Sequence, residues 1–233
     1  MKLCVPSWQQ PGTWLANARA LASLPWIEGM ELLFFSYDEE ARRVFADERD
    51  DIARFSERYS FSLHLPDPLS PDALDLVETT NSFVELYVFH PWKGDKTRMD
   101  DKIREGEAGW ADLLESLRAA YGADRFAMEY SGEAAFENSL ALFPDLPLCA
   151  DSGCLIRNGQ EPLDWIAARH TAIREIHLHA ARGGKDHLSL GPGDAWLPGI
   201  AAAAAQSDWR VVLETFSLAD TEASYEAFRR AMP

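Results

Sequence analysis

The densest chemistry in the chain lies between Ile176 and His187, where His177, His179 and His187 bring together three of the six histidines. Alternation along a strand sends His177 and His179 to one side and Leu178 to the other. Paired imidazoles at a strand end, followed by Asp186 and His187 on a glycine-bearing loop, have the residue types of a divalent-metal site. The same pattern also suits two hydrogen-bonded core histidines beside a solvated loop. Residues elsewhere decide between the two. Glu31, His64, His90, Glu129, Asp151 and Glu214 each lie on or just after a short apolar run. One buried carboxylate is costly, but a group of carboxylates and imidazoles is tolerable when a cation neutralises it.

Those apolar runs are strands. Eight of them, at residues 2–5, 29–35, 61–65, 84–89, 126–129, 146–151, 173–179 and 210–214, alternate with segments of helical periodicity. Helices are expected at 12–24, 47–59, from Ser70 onward, and at 109–121, 133–142, 164–170, 200–206 and 221–232. Ser70 is the expected N-cap of the third, with Pro71 in its first turn, and Asp220 that of the last. Strands apolar on both faces belong to a parallel sheet covered by helices. Eight such units predict a compact single (β/α)8 TIM barrel, one domain over residues 1–233. A doubly wound sheet is disfavoured because no G-x-G-x-x-G follows the first strand.

In such a barrel the C-terminal strand ends build the active site. Five of the six histidines converge there, and only His170 reads as a surface helix residue. Glu129, Asp151, His177 and Glu214, from consecutive strands, could ring one divalent cation. His64 and His90 place a second cation beside Glu129, whose two oxygens could bridge both. Oxygen plus imidazole suits zinc first, with manganese and iron as alternatives.

The bulk composition bounds the partners. With 38 acidic against 22 basic side chains the net charge is −16, which argues against a nucleic-acid partner. A small-molecule substrate is expected. No apolar run reaches the length of a membrane span. The first residues lack a signal-peptide pattern, and three unpaired-looking cysteines suit a cytoplasmic location. Nothing in the sequence speaks to oligomeric state.

The order of Leu63-His64-Leu65-Pro66, Phe89-His90-Pro91, Ala127-Met128-Glu129, Asp151-Ser152-Gly153-Cys154, His177-Leu178-His179, Asp186-His187 and Leu213-Glu214 resembles the xylose-isomerase-like barrel superfamily. Its members include sugar isomerases and epimerases and the endonuclease IV group. The resemblance implies one metal on Glu129, Asp151, His177 and Glu214 in an isomerase, and further zinc ligands at His64 and His90 in a phosphodiesterase. It also implies a third site at Cys154, Asp186 and His187. There the family has a histidine in place of Cys154 and an Asp-x-His spacing in place of adjacent Asp186 and His187. One to three ions are therefore expected, two favoured. The segment from His177 to Leu190 is similar to the cobamide-remodelling phosphodiesterases, compact members that cleave the nucleotide loop of corrinoids.

The leading expectation is a metal-dependent phosphodiesterase acting on a small phosphate ester, with a corrinoid as one candidate. Glu129 and Glu214 would serve catalysis, and His179 or His187 would protonate the leaving oxygen or serve the third site. Arg182 and Lys185, beside Gly183 and Gly184, could hold phosphate; their alternative is a solvated loop. Trp8, Trp92 and Trp196 follow strands one, four and seven, as an aromatic wall for a flat ligand or as a roof on the barrel. Glu31 is a substrate contact, a partner orienting a histidine, or a structural acid. The alternative chemistry is isomerisation or epimerisation of a sugar or phosphorylated sugar by one metal, with Glu129 and Glu214 exchanging protons with carbon. A non-catalytic binding barrel comes last.

Overall fold

A computed structural model describes residues 1–94 and 100–233. Eight parallel strands close into a barrel: β1 (Lys2–Pro6), β2 (Gly29–Leu33), β3 (Ser60–His64), β4 (Val84–Phe89), β5 (Phe126–Glu129), β6 (Leu148–Asp151), β7 (Ile173–His177) and β10 (Arg210–Val212). Each pairs with its neighbours in sequence order, and β1 closes on β10. The compact (β/α)8 architecture is the one expected.

Register sets the site. Asp151 pairs with His177 and His177 with Val212, so the sixth, seventh and eighth barrel strands end level. Beyond His177 the chain stays extended: the Leu178 amide donates to Val212 and the Glu214 amide to Leu178. His179 thus keeps the inward facing that alternation gives it. The residues that follow form not a loop but an antiparallel hairpin, β8 (Ala180–Arg182) and β9 (Lys185–Leu188). Its two-residue turn is Gly183 and Gly184, with φ of 60° and 78°, the left-handed pair such hairpins need.

The helices pack outside, and the large apolar core lies between them and the outward faces of the strands. Inside the barrel the apolar cluster is small, Leu86, Val88, Ala127 and Cys149, because charged residues occupy the rest. Several helix bounds differ from expectation. The second helix, α2 (Glu39–Arg54), follows α1 (Trp14–Leu21) and starts earlier than residue 47, because Asp38 caps it by accepting from the Ala41 amide. The acidic Glu39 and Glu40 suit the positive N-terminal dipole. In α3 (Asp72–Thr80) the N-cap is Pro71 rather than Ser70, without a side-chain bond. The long α4 (Asp100–Tyr121) absorbs much of the charged segment before residue 109. α5 (Glu133–Leu142) has the expected bounds.

A short α6 (Ser152–Arg157) departs from the expected elements; Asp151 caps it, accepting from the Cys154 amide at 2.8 Å. After α7 (Pro162–Arg169) and α8 (Leu197–Ala205), α9 (Leu218–Ala231) is capped by Ser217, not Asp220. Asp220 sits one turn further in and accepts from the Ser217 and Ser189 hydroxyls. Among the described residues no helix is long and apolar enough to cross a membrane.

Candidate metal centre

A cavity of about 340 Å³ opens at the C-terminal mouth of the barrel, lined by His64, His90, Glu129, Asp151, His187 and Glu214 among others. On one side His64 and His90 point Nε2 at the same oxygen, Glu129 Oε2, at 2.7 and 2.9 Å. The His64 Nδ1 lies 3.0 Å from the Leu65 carbonyl, which fixes its proton on that nitrogen. Its Nε2 then presents a lone pair to a carboxylate, an arrangement that needs a proton or a metal between them. Behind His90, Asp67 Oδ2 holds Nδ1 at 2.9 Å and is itself held by Lys93 at 2.6 Å. Such carboxylate support is what orients a metal-ligating imidazole.

On the other side Glu214 Oε2 is surrounded by imidazole nitrogens: His177 Nδ1 at 3.4 Å, His179 Nε2 at 3.5 Å and His187 Nδ1 at 3.6 Å. Asp151 Oδ1 stands 3.0 Å from His179 Nε2, and Glu129 Oε1 3.5 Å from His177 Nδ1. The Glu214 oxygen, the His177 Nδ1 and the His179 Nε2 are buried with no hydrogen-bond partner. Separations near 3.4 Å are the edges of a tetrahedron whose ligands lie about 2.0–2.2 Å from zinc. The donor set therefore fits a divalent cation. Metal-sized nests include His64, His90 and Glu129; Glu129, Asp151 and His177; and His179, His187 and Glu214.

The structure draws a distinction between the paired histidines that alternation could not. His177 and His179 both face inward, but His177 is the deeper strut. Its Nε2 faces Glu31 Oε1 at 3.0 Å and Glu175 Oε1 at 3.3 Å, both carboxylates fully buried. Glu31 is thus beneath the site, supporting a histidine, and does not line the cavity. His179 stacks on His187, centroids 4.3 Å apart, and shares Asp151 and Glu214 with the rim.

Without a metal, protons carry the positive charge. Burial works against a charged His90, yet the Glu129 carboxylate and the bond to Asp67 outweigh it and lift its pKa to about 10. Burial would also raise Glu129, but His90 and His177 hold it well below the ordinary carboxylate range. Glu214 goes the other way: burial pushes it up to about 8 despite His177 and His179.

The remaining expected contacts divide. Trp8, 41% exposed, packs edge-on against Phe35, which reaches Phe216; Phe35 and Phe216 line the cavity mouth. Trp92 instead lies against Gly106 of α4, and Trp196 is the buried N-cap of α8, so neither lines the cavity. Arg182 turns away to Asp194 at 2.6 Å, and Lys185 is exposed on the hairpin. Among the described residues, the cations that line the cavity are Lys93 and Arg157. Sequence reasoning misses both, and Asp67 too. Asp67 sits in Pro66-Asp67-Pro68, a turn signal directly after a strand. Arg157 follows Cys154 by one helical turn, visible only once Asp151 is taken as a cap.

The third set does not assemble. Among the described residues no metal-sized nest contains Cys154 or Asp186. Arg157 lies between them, Nη2 at 3.0 Å from Cys154 Sγ and Nη1 at 2.7 Å from Asp186 Oδ2. His187 joins His179 and Glu214 instead.

No protein-family model matches the chain, and no curated protein matches it. Solved structures do. The probable 3-DHS dehydratase AsbF of Bacillus anthracis matches with a TM-score of 0.69 at 14% identity, covering 98% of both chains. An L-ribulose 3-epimerase matches with a TM-score of 0.65 at 14% identity, over 99% of this chain and 95% of that one. Endonuclease IV from Thermus thermophilus matches with a TM-score of 0.57 at 16% identity, over 99% of this chain and 98% of that one. At these identities the likeness is one of fold alone, the closed (β/α)8 barrel.

Proposed function

We propose that the chain is a metal-dependent enzyme acting on a small phosphate ester, with two divalent cations at the barrel mouth. The supporting observation is Glu129, whose Oε2 takes His64 and His90 while its Oε1 faces His177. His64, His90 and Glu129 would hold one cation; Glu129, Asp151, His177 and Glu214 the other. His179, whose Nδ1 accepts from the His187 amide, keeps its proton on Nε2 toward Asp151. When bound, the cations supply Lewis-acid charge and lower the pKa of a coordinated water. Glu129 holds the two halves in fixed spacing. Asp67 orients His90, and Glu31 and Glu175 orient His177 from below. His187, half-buried between His179 and Phe216, is placed to give a proton to the leaving oxygen.

A cavity of about 340 Å³ takes a phosphate and a sugar-sized group but not a corrin ring. A cobamide would therefore enter by its nucleotide loop alone. Three free cysteines, Cys4, Cys149 and Cys154, and one barrel spanning the chain suit a single-domain protein of a reducing cytoplasm.

The second reading is isomerisation, epimerisation or a related proton abstraction on a sugar-like substrate. It is favoured by the neighbours, since the dehydratase and the epimerase match more closely than the endonuclease. It needs one cation and leaves His64 and His90 as substrate contacts. Elemental analysis of protein purified without chelator, with hydrolysis assays on bis(p-nitrophenyl) phosphate and cobamides, tests the first reading. Two ions and phosphoester cleavage support it. One ion, retained in H64A and H90A, with deuterium incorporated at carbon from heavy water into a ketose, overturns it in favour of the second.

A further inference from the structure

We infer that Arg157, lodged between Cys154 and Asp186 in place of a third cation, binds the anionic group of the substrate. The inference rests on the metal-centre reading above. Cys154, Asp186 and His187 form no metal-sized group among the described residues, and two of the three are already held by Arg157. The Arg157 guanidinium bonds Cys154 Sγ through Nη2 and Asp186 Oδ2 through Nη1. A guanidinium is planar, permanently charged and carries five N–H donors, so two bonds leave donors to spare. It lines the same cavity as Glu129 and Glu214.

The sequence around it is consistent with one substitution of function. A soft thiol at position 154 gives a weaker acceptor than an imidazole but fits against a guanidinium edge. Adjacent Asp186 and His187 both line the cavity but take different partners: the aspartate meets Arg157 while the histidine meets Glu214. His187 holds a φ of 51°, the one left-handed non-glycine among the described residues, which turns its ring onto His179. The pair that would have closed on one ion is split between two partners.

Arg157 shares the cavity with Lys93, which is held by Asp67 on the His90 side. In a chain of net charge −16 these two cations at the mouth select an anionic substrate group. Phosphate is the group a planar fork grips best.

The test uses the zinc-loaded full chain with inorganic phosphate as probe, read by titration calorimetry, and zinc per chain by elemental analysis. Wild type and C154A should both hold two zinc ions. R157Q should bind phosphate roughly 10- to 100-fold more weakly, the scale of a lost charged hydrogen bond, with R157K recovering part of the loss. Three ions in wild type, falling to two in C154A or D186N, would overturn the proposal, as would phosphate binding in R157Q equal to wild type. Neither readout needs turnover. Absence of phosphodiesterase activity with both results intact would sink the hydrolase reading alone and leave Arg157 as the anchor of a sugar phosphate.

Discussion

Two charged layers lie inside the same barrel, and they are built on opposite principles. At the floor, where the strands begin, Lys2 and Arg210 meet Glu85 at 2.9 and 2.5 Å, and both bond the Ser60 hydroxyl. Two cations from β1 and β10 share one carboxylate from β4. At the mouth, Glu129, Asp151 and Glu214 face chiefly imidazoles, and the atoms without a hydrogen-bond partner include a Glu214 oxygen, His177 Nδ1 and His179 Nε2. The floor pairs the protein's own charges, with Arg210 Nη1 left without a partner; the mouth requires a cation from outside or protons in its place. A polar cluster whose members satisfy one another is a structural device. One that leaves buried donors and acceptors aimed at a common point is a binding site.

The sharpest way to break that contrast is Glu129→Ala. Both nests that share this carboxylate lose a ligand, so metal content should fall from two ions toward none. Turnover should drop on the order of 10³-fold or more. A variant that keeps both ions would show that Glu129 joins nothing. Arg210→Met is the counterpart at the floor. Arg210 is 5% exposed, and removing it leaves Glu85 with Lys2 and the Ser60 hydroxyl. Stability should fall by about 2 kcal/mol, the scale of lost charged hydrogen bonds, in chemical denaturation, while zinc content stays the same. Loss of metal in R210M would mean the two layers are one.

How far each layer can be read from sequence follows from what specifies it. The eight strands are legible because short apolar runs between helical segments are a local signal, and the mouth is legible because strand order and the C-terminal rule place its residues together. Asp151, His177 and Glu214 need nothing more. The floor is not legible. Lys2, Ser60, Glu85 and Arg210 lie at or near strand starts, far apart in sequence, and each alone is an ordinary polar residue; only register brings them together. Arg157 escapes for a different reason. Its helix is six residues long and carries no periodicity to detect, so nothing marks Asp151 as a cap as well as a ligand. The depth of His177 against His179 turns on Glu31 and Glu175 beneath it, the first a contact between β2 and β7 across the barrel.

Asp67→Asn should sharpen the mouth further. It keeps the shape of the side chain but removes the charge that orients His90. Metal affinity at the His64–His90 nest should weaken about 10- to 100-fold, giving protein that holds one ion at limiting zinc. Zinc titration with a competing chelator measures it, and two equally tight ions in D67N would remove Asp67 from the site. The same residue governs the pH response. His90, with its pKa raised to about 10, carries a proton at neutral pH in the metal-free protein. Zinc must displace that proton, so binding should release protons at pH 7 and tighten as pH rises toward 10. Calorimetry in two buffers of different ionisation enthalpy counts the protons. A release of none would show His90 to be neutral and already free.

The smallest effect belongs to the floor, and it runs in the acid direction. Burial would raise the Glu85 pKa, but the bonds from Ser60 and Lys2 and the charge of Arg210 outweigh it and hold the carboxyl below its ordinary 4.5. A carboxyl depressed in the folded state contributes stability that is fully present above 4.5 and is lost as pH falls through its folded value. Glu85 is half exposed, so water screens the pairing, and Glu85→Gln should cost no more than about 1 kcal/mol at neutral pH. Its mark should be in the shape of the curve: the decline in stability of chelator-treated protein below pH 4.5 should be shallower in E85Q than in wild type. Zinc affinity at pH 7 should be the same in both. An acid limb of unchanged slope would mean that Lys2 and Arg210 hold Glu85 no more tightly than solvent does, and the floor would then owe its order to strand register alone.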